Sequence, residues 1–227
     1  MIEPVYEVSW DQLPDMPVGK WEPASLVLDD KLYVLGGYEN DVVSSRRVDV
    51  FDPADGSWTQ LQDCPSRVSH VDLVADGDGF WFAGGMKDKP TRKIKDHIIA
   101  EVWYFNLELD RYTAGPLLPG RRAGGGLARL GDKLHYVSGL MEDRDTDSPD
   151  HFVLDLKEWA GNGHALWTKA APLPVPRNQH SIAELNGMIY IIGGALISML
   201  GFTGLYVFQR IQQMSLLKIH CRHQLQF

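Results

Sequence analysis

The chain has 227 residues, 44% of them hydrophobic, and its 22 basic against 30 acidic side chains leave a net charge of −8. That composition suits one large all-β domain or two small ones, and the negative balance argues against nucleic acid or anionic membrane surfaces as general partners. The two cysteines, Cys64 and Cys221, stand too far apart in sequence and context to form a disulfide framework or a CxxC metal site.

The chain opens on MIEPVYEVSW, which has neither a basic leader nor a long apolar core, so no secretory signal is predicted and a cytoplasmic setting is the default. From Trp10 onward a repeat sets the frame. Trp10, Trp58, Tyr112 and Trp167 are each followed after seven residues by a proline (Pro17, Pro65, Pro119, Pro174) and after 27 by a glycine (Gly37, Gly85, Gly139, Gly194). In each unit an apolar stretch such as ASLVLDD precedes a tight turn at Asp30, Asp78, Asp132 or Gly187, and a strand such as KLYVLGG then runs into the glycine. That order predicts a β-hairpin whose second strand ends where the backbone must turn without side chains. VDVFDPADGSW and VWYFNLELDRY each add a strand, a turn and the next aromatic, so every unit reads as four short antiparallel strands with the aromatic anchors in the core. Extra length falls in two loops only, KDKPTRKIKDH in the second unit and KEWAGNGHA in the third.

The Gly-Gly pairs at 36–37, 84–85 and 193–194, Ser-Gly at 138–139, Phe51, Phe105 and the anchors Trp58, Tyr112 and Trp167 resemble the kelch-repeat β-propellers, the galactose-oxidase-like propellers included. The resemblance covers about residues 8–194 and implies an all-β fold: three full four-stranded blades and a partial one over 1–194, with units at about 17–62, 65–116, 119–171 and 174–194, then a divergent tail, 195–227. In this family a lone first strand, here YEVSWDQLP, usually completes the last blade, and rings usually have six or seven blades. The expectation is therefore a truncated version of a longer protein.

The stretch from Met188 to Phe208 holds 21 residues without a charge, followed by Arg210, Lys218 and Arg222, which qualifies it as a membrane-span candidate. The repeat claims 188–194 as a blade strand and leaves 14 residues, too few to span alone, so the sheet is preferred. GLYVF is then the third strand, its Phe208 lying 14 residues after Gly194 as Phe51 does after Gly37.

A positive side chain stands 17 or 18 residues before each final glycine: Lys20, Arg67, Arg121 with Arg122, and Arg177. If the propeller register holds, these converge near one mouth of the channel, where guanidinium groups bind carboxylates bidentately. His70 and His180 stand three residues beyond Arg67 and Arg177 and add hydrogen bonds. The same arginines serve equally as clamps on loop carbonyls or on the next blade's carboxylates, and the histidines as packing or capping groups. The acidic loop from Glu142 to Asp150, with five carboxylates, and the basic loop from Lys87 to His97 read first as solvated. No Ser/His/Asp set, P-loop or GxGxxG occurs, so no catalytic residue, metal or cofactor is assigned. The reading is a module that binds a protein or acidic peptide, or a carboxylated sugar; the alternative is a carbohydrate-active propeller enzyme of the sialic-acid-epimerase or oxidase type.

Overall fold

A computed structural model describes residues 12–40, 43–88, 97–196 and 217–220. They form four antiparallel sheets, each built from consecutive strands. The first runs β1 (Ala24–Leu28), β2 (Lys31–Leu35), β3 (Val48–Asp52), β4 (Ser57–Gln60), and the second β5 (Asp72–Asp76), β6 (Gly79–Ala83), β7 (Val102–Asn106), β8 (Arg111–Ala114). The third runs β9 (Gly126–Leu130), β10 (Lys133–Val137), β11 (His151–Asp155), β12 (Thr168–Lys169), and the fourth holds β13 (Ser181–Leu185), β14 (Met188–Ile192) and β15 (Leu217–His220).

Each sheet opens on a two-residue hairpin. Leu28 faces Lys31 and Leu185 faces Met188 across turns in which Asp29 and Asp30, and Asn186 and Gly187, all take positive φ. That is the primed turn whose twist matches the flanking strands. The sheets then lie face to face, β1 against β5, β5 against β9 and β9 against β13, so the core forms as layers between neighbouring blades. Trp81 and Phe152 belong to the layer between the second and third blades, and Phe80 and Leu35 to that between the first and second. The middle strand β6 is buried along its whole length because it is covered on both faces.

The glycine pairs are required by this stacking. Gly36 and Gly84 have φ of +66° and +67°, and a Cβ on either would lie 2.3 or 2.4 Å from the carbonyl oxygen of Val68 or Arg122 in the next blade. The glycine that follows uses the approach: the N–H groups of Gly37, Gly85 and Gly139 donate to Val68, Arg122 and Arg177 oxygens at 2.7–2.9 Å. Ser138 replaces the first glycine of the third pair at φ 62°, and its hydroxyl reaches the same Arg177 carbonyl at 2.7 Å.

Three expectations are corrected. The KEWAGNGHA insertion is not a loop but contributes α1 (Leu156–Asn162), capped by the Asp155 carboxylate, which accepts the Lys157 and Glu158 N–H groups, and closed by Gly163 in the left-handed region. The third strand of the fourth sheet is Leu217–His220, paired with Met188–Ile191, whereas GLYVF lies outside the described residues. The anchors are less buried than expected: Trp167 is 9% exposed, but Trp58 and Tyr112 are only half-buried. Their polar tips explain their spacing. Trp58 Nε1, Tyr112 Oη and Trp167 Nε1 donate to the carbonyls of Pro14, Gln62 and Pro116, each three residues before a repeat proline, stapling the outer strand to the preceding linker. Met188–Ile192 is a sheet strand, and among the described residues no helix is long and apolar enough to cross a membrane.

Candidate functional site

Where each blade's innermost strand begins, the chain must turn sharply from the linker toward the axis. One residue per unit takes left-handed backbone there, 15 positions before the final glycine: Glu22, His70, Gly124 and Gln179, with φ between 50° and 61°. The four unlike residues share only this conformation. Backbone bonds tie the positions together, Gly124 N–H to the His70 carbonyl and Gln179 N–H to the Gly124 carbonyl. They line an open hollow of about 230 Å³ shared by all four units, together with Asp72 and His180.

The titratable groups of the hollow are shaped by burial. His70 Nε2 lies 3.0 Å from a Glu22 carboxylate oxygen, and Nδ1 lies 3.0 Å from Ser69 Oγ. Burial lowers its pKa, and the Glu22 carboxylate opposes that shift. Asp72 accepts the Leu127 N–H across the blade junction at 2.9 Å and the Leu73 N–H at 3.0 Å, yet burial pushes its carboxyl up to about 6. His180 is 8% exposed, neither ring nitrogen has a hydrogen-bond partner among the described residues, and burial with the nearby Arg177 charge takes it down to about 4. A Cβ on Gly126 would stand 2.7 Å from His180 Nε2, so the glycine makes room for the imidazole. Asp72 and His180 thus meet the start of β9 from opposite neighbouring blades.

The two histidines singled out in the sequence come together here; the cationic positions do not line this hollow. Lys20 is fully enclosed, ion-paired with Asp49 and donating to the Arg47 carbonyl. Arg122 is 6% exposed, held by Asp150 at 2.7 Å and by the Arg121 carbonyl. Arg67 is exposed and donates to the Ser44 carbonyl, in a second hollow with Arg46 and Arg47. Arg177 donates to the Gly193 carbonyl through Nη1. Arg121, its side chain 41% exposed, lies 3.9 Å from Glu142. A carbonyl clamp therefore recurs at this register, and of these side chains Arg67 and Arg121 are the exposed ones.

The two loops divide similarly. In the acidic loop Asp143 holds its own turn through Asp145 and Thr146, Asp147 pairs with Asn178, and Asp150 joins Arg122 and Lys169. Of the basic loop, Lys87 pairs with Glu101 and Asp88 with Ser44; 89–96 lie outside the described residues. Among the described residues no three His, Cys, Asp or Glu side chains gather as a metal-holding group. The buried Cys64 thiol, pushed up to about 12 by burial, takes a hydrogen bond from Tyr112 at the blade edge.

The buried histidines predict acid lability. His180 and His135 titrate near 4 in the folded chain, against about 6.5 when unfolded. The unfolded state takes up protons first as pH falls below that value, so stability present above it is lost toward pH 4. Asp72 works in the opposite sense between about 6 and 4 but is one group against these two, and burial lowers His70 and His151 as well. Urea melts at pH 5 should show about 2–3 kcal/mol less stability than at pH 7, and His180→Asn should remove about 2 kcal/mol of that difference. A flat pH profile for the unchanged chain would count against the buried neutral imidazoles.

Four face-stacked antiparallel sheets, joined in sequence around a shared hollow, define the chain as part of a β-propeller. The comparisons agree. The Kelch motif matches residues 22–65. Beta-scruin of Limulus polyphemus is 25% identical over 195 residues, covering 84% of this chain and 21% of that protein. The N-acetylneuraminate epimerase of Pasteurella multocida is 27% identical over 229 residues, covering 82% and 59%. The solved structure of YjhT aligns with TM-score 0.70 at 19% identity, over 82% of this chain and 62% of that one. The chain carries a kelch motif, resembles kelch-repeat proteins over most of its length and has the fold of part of a propeller. It spans less than two-thirds of the length of these relatives.

Proposed function

We propose that the chain is a protein-interaction module that receives an acidic or carboxylated segment of its partner at the channel mouth. The observation that supports this most is the hollow itself, to which all four units contribute and which holds the buried imidazole of His180, without a hydrogen-bond partner among the described residues. Arg121 and Arg177 follow the same register, Arg121 with its side chain 41% exposed, and guanidinium groups suit carboxylates. Kelch repeats in relatives as distant as scruin and the human kelch-like protein 34 cover most of this chain, which favours an interaction role.

The test is capture of a glutamate-rich peptide, with a lysine-rich peptide as control. Binding should weaken as salt rises, because partly exposed charges are screened over about 8 Å near physiological ionic strength. Arg121→Glu with Arg177→Glu should abolish capture while the melting temperature falls by only about 2–4 °C, the cost of losing the short Arg177–Gly193 bond and the long, weak one to Val175. Capture that survives the double change sinks the proposal.

A second reading rests on Asp72 and His180, two groups with displaced pKa values flanking the start of β9 in one small hollow. That arrangement suits acid–base chemistry on a carboxylated sugar, and one relative is an N-acetylneuraminate epimerase. Interconversion of N-acetylneuraminate and its epimer, followed by proton NMR and lost in Asp72→Asn, tests it.

A further inference from the structure

Two Asn-Gly pairs occur in the chain, Asn162–Gly163 at the end of α1 and Asn186–Gly187 at the tip of the β13–β14 hairpin. Asn-Gly is a favoured pair for a two-residue turn because both residues tolerate positive φ. It is also the pair in which a backbone nitrogen reaches its neighbour's side-chain amide with least obstruction, since the second residue has no Cβ to crowd the approach. The two pairs stand in different surroundings. Gly163 closes α1, and its N–H donates to the Trp159 carbonyl at 2.8 Å. Gly187 N–H instead donates to a Glu184 carboxylate oxygen at 2.7 Å, on the exposed tip of the hairpin.

The other three hairpins lack this set. At the positions of Asn186 and Gly187 they carry Asp29–Asp30, Gly77–Asp78 and Gly131–Asp132, and where the fourth has Glu184 they carry Val27, Ala75 and Arg129. A side-chain amide, a glycine nitrogen and a carboxylate that can only accept a proton thus coincide in one unit. Every one of these tips is exposed, those of the internal blades included. Access of water to Asn186 is therefore a property of the turn and not of its place in the chain.

We propose that Asn186 is a site of spontaneous deamidation, with Glu184 as the base. The Glu184 carboxylate takes the proton of Gly187 N–H as that nitrogen attacks Asn186 Cγ. The new N–C bond closes a succinimide ring, and the side-chain nitrogen leaves as ammonia with the proton handed back by Glu184. One water then opens the ring. Cleavage of the new bond to Cγ leaves aspartate on an intact backbone, whereas cleavage of the original peptide bond leaves isoaspartate, in which the main chain runs through Cγ.

The two products differ in what they do to the fold. Asp29 holds the matching turn position of the first unit at φ 49°, against 53° for Asn186, so an aspartate fits the turn. Isoaspartate adds a methylene to the main chain, and the two-residue turn that sets Leu185 opposite Met188 cannot absorb it without shifting the register. Ile182, Ile189 and Ile191 on these strands pack with Ala128 and Val137 of the third blade. The lesion therefore loosens the fourth blade where it meets the third.

The test ages the full chain in warm neutral buffer and maps it by trypsin and mass spectrometry; cleavage after Lys169 and Arg177 puts Asn162 and Asn186 on separate peptides. In the folded chain Asn186 should convert roughly tenfold faster than Asn162, a modest share of the about hundredfold that a positioned base contributes in an enzyme. In urea, where both are plain Asn-Gly peptides, the two rates should be similar. Glu184→Gln keeps a hydrogen-bond acceptor but no base; it should remove most of the lead of Asn186 in the folded chain and leave the urea rates unchanged, with Asn162 reporting folding in the same digest. Asn186→Asp should melt with the fresh unchanged chain. Conversion at Asn162 equal to or ahead of Asn186 in the folded chain overturns the site, and a folded Glu184→Gln chain that deamidates as fast as the unchanged one overturns the base. None of these readouts depends on what the channel mouth binds.

Discussion

Trp81→Ala should cost about 3–5 kcal/mol, a large part of the roughly 5–15 kcal/mol that holds a domain together. Trp81 is 1% exposed and lies where the second blade meets the third. Its ring sits 5.1 Å from Tyr104 and 4.9 Å, edge to face, from Trp159 on α1. Its Nε1 donates to Asp76 at 2.8 Å, and the same carboxylate reaches Arg129 of the third blade at 2.9 Å. Truncation therefore opens a cavity, removes two aromatic contacts and frees one arm of a carboxylate that bridges blades. In thermal melts the loss corresponds to a fall on the order of 10 °C for a chain this long. Trp58→Ala is the control. Its indole is half-buried against Phe51, so about 1–2 kcal/mol is expected. A Trp81 loss below about 1 kcal/mol, or equal losses at the two sites, would contradict the layered core.

Asp49→Ala should cost a similar 3–5 kcal/mol, by electrostatics rather than packing. Asp49 and Lys20 are both fully buried, 2.9 Å apart, and Arg47 grips the same carboxylate through Nε and Nη2. Removing the carboxylate lets the half-buried Arg47 turn to water. Lys20 cannot follow, and its ammonium is left with one carbonyl. The double change Lys20→Met with Asp49→Leu removes both charges, and replacing a buried pair by apolar groups of similar volume is often close to neutral. Most of the loss should therefore return in the double variant. If the double variant is as unstable as Asp49→Ala, the penalty comes from lost shape rather than from stranded charge, and the prediction fails.

Much of the fold was legible because its causes are local. A strand that must stop where another backbone passes within van der Waals distance needs glycine, and a two-residue hairpin needs positive φ; both requirements show as residue types at fixed offsets. Asp155 and Glu158 already spell the start of α1, but a length change between two strands carries no periodicity that separates a two-turn helix from a loop. Spacing to an aromatic does not locate the third strand of the fourth sheet, because Leu217–His220 lies where the chain has left its repeat. In the site, His70 and His180 were found by offset. Glu22, Asp72 and Gln179 were not, since the left-handed turn that brings the mouth residues together accepts several residue types and so leaves no common letter.

The amino-acid sequence by itself determined the repeated sheet, the number of units and the places where backbones must meet. Whether a cation faces solvent or a carbonyl was decided only in three dimensions, as Lys20 and Arg121 show: they hold nearly the same register, yet one is sealed against Asp49 and the other half-open beside Glu142. The reason is physical. Hydrogen-bonding glycines and turns answer to neighbours a few residues away or to a single passing strand, whereas the fate of a charge depends on how much water the whole packed assembly leaves around it.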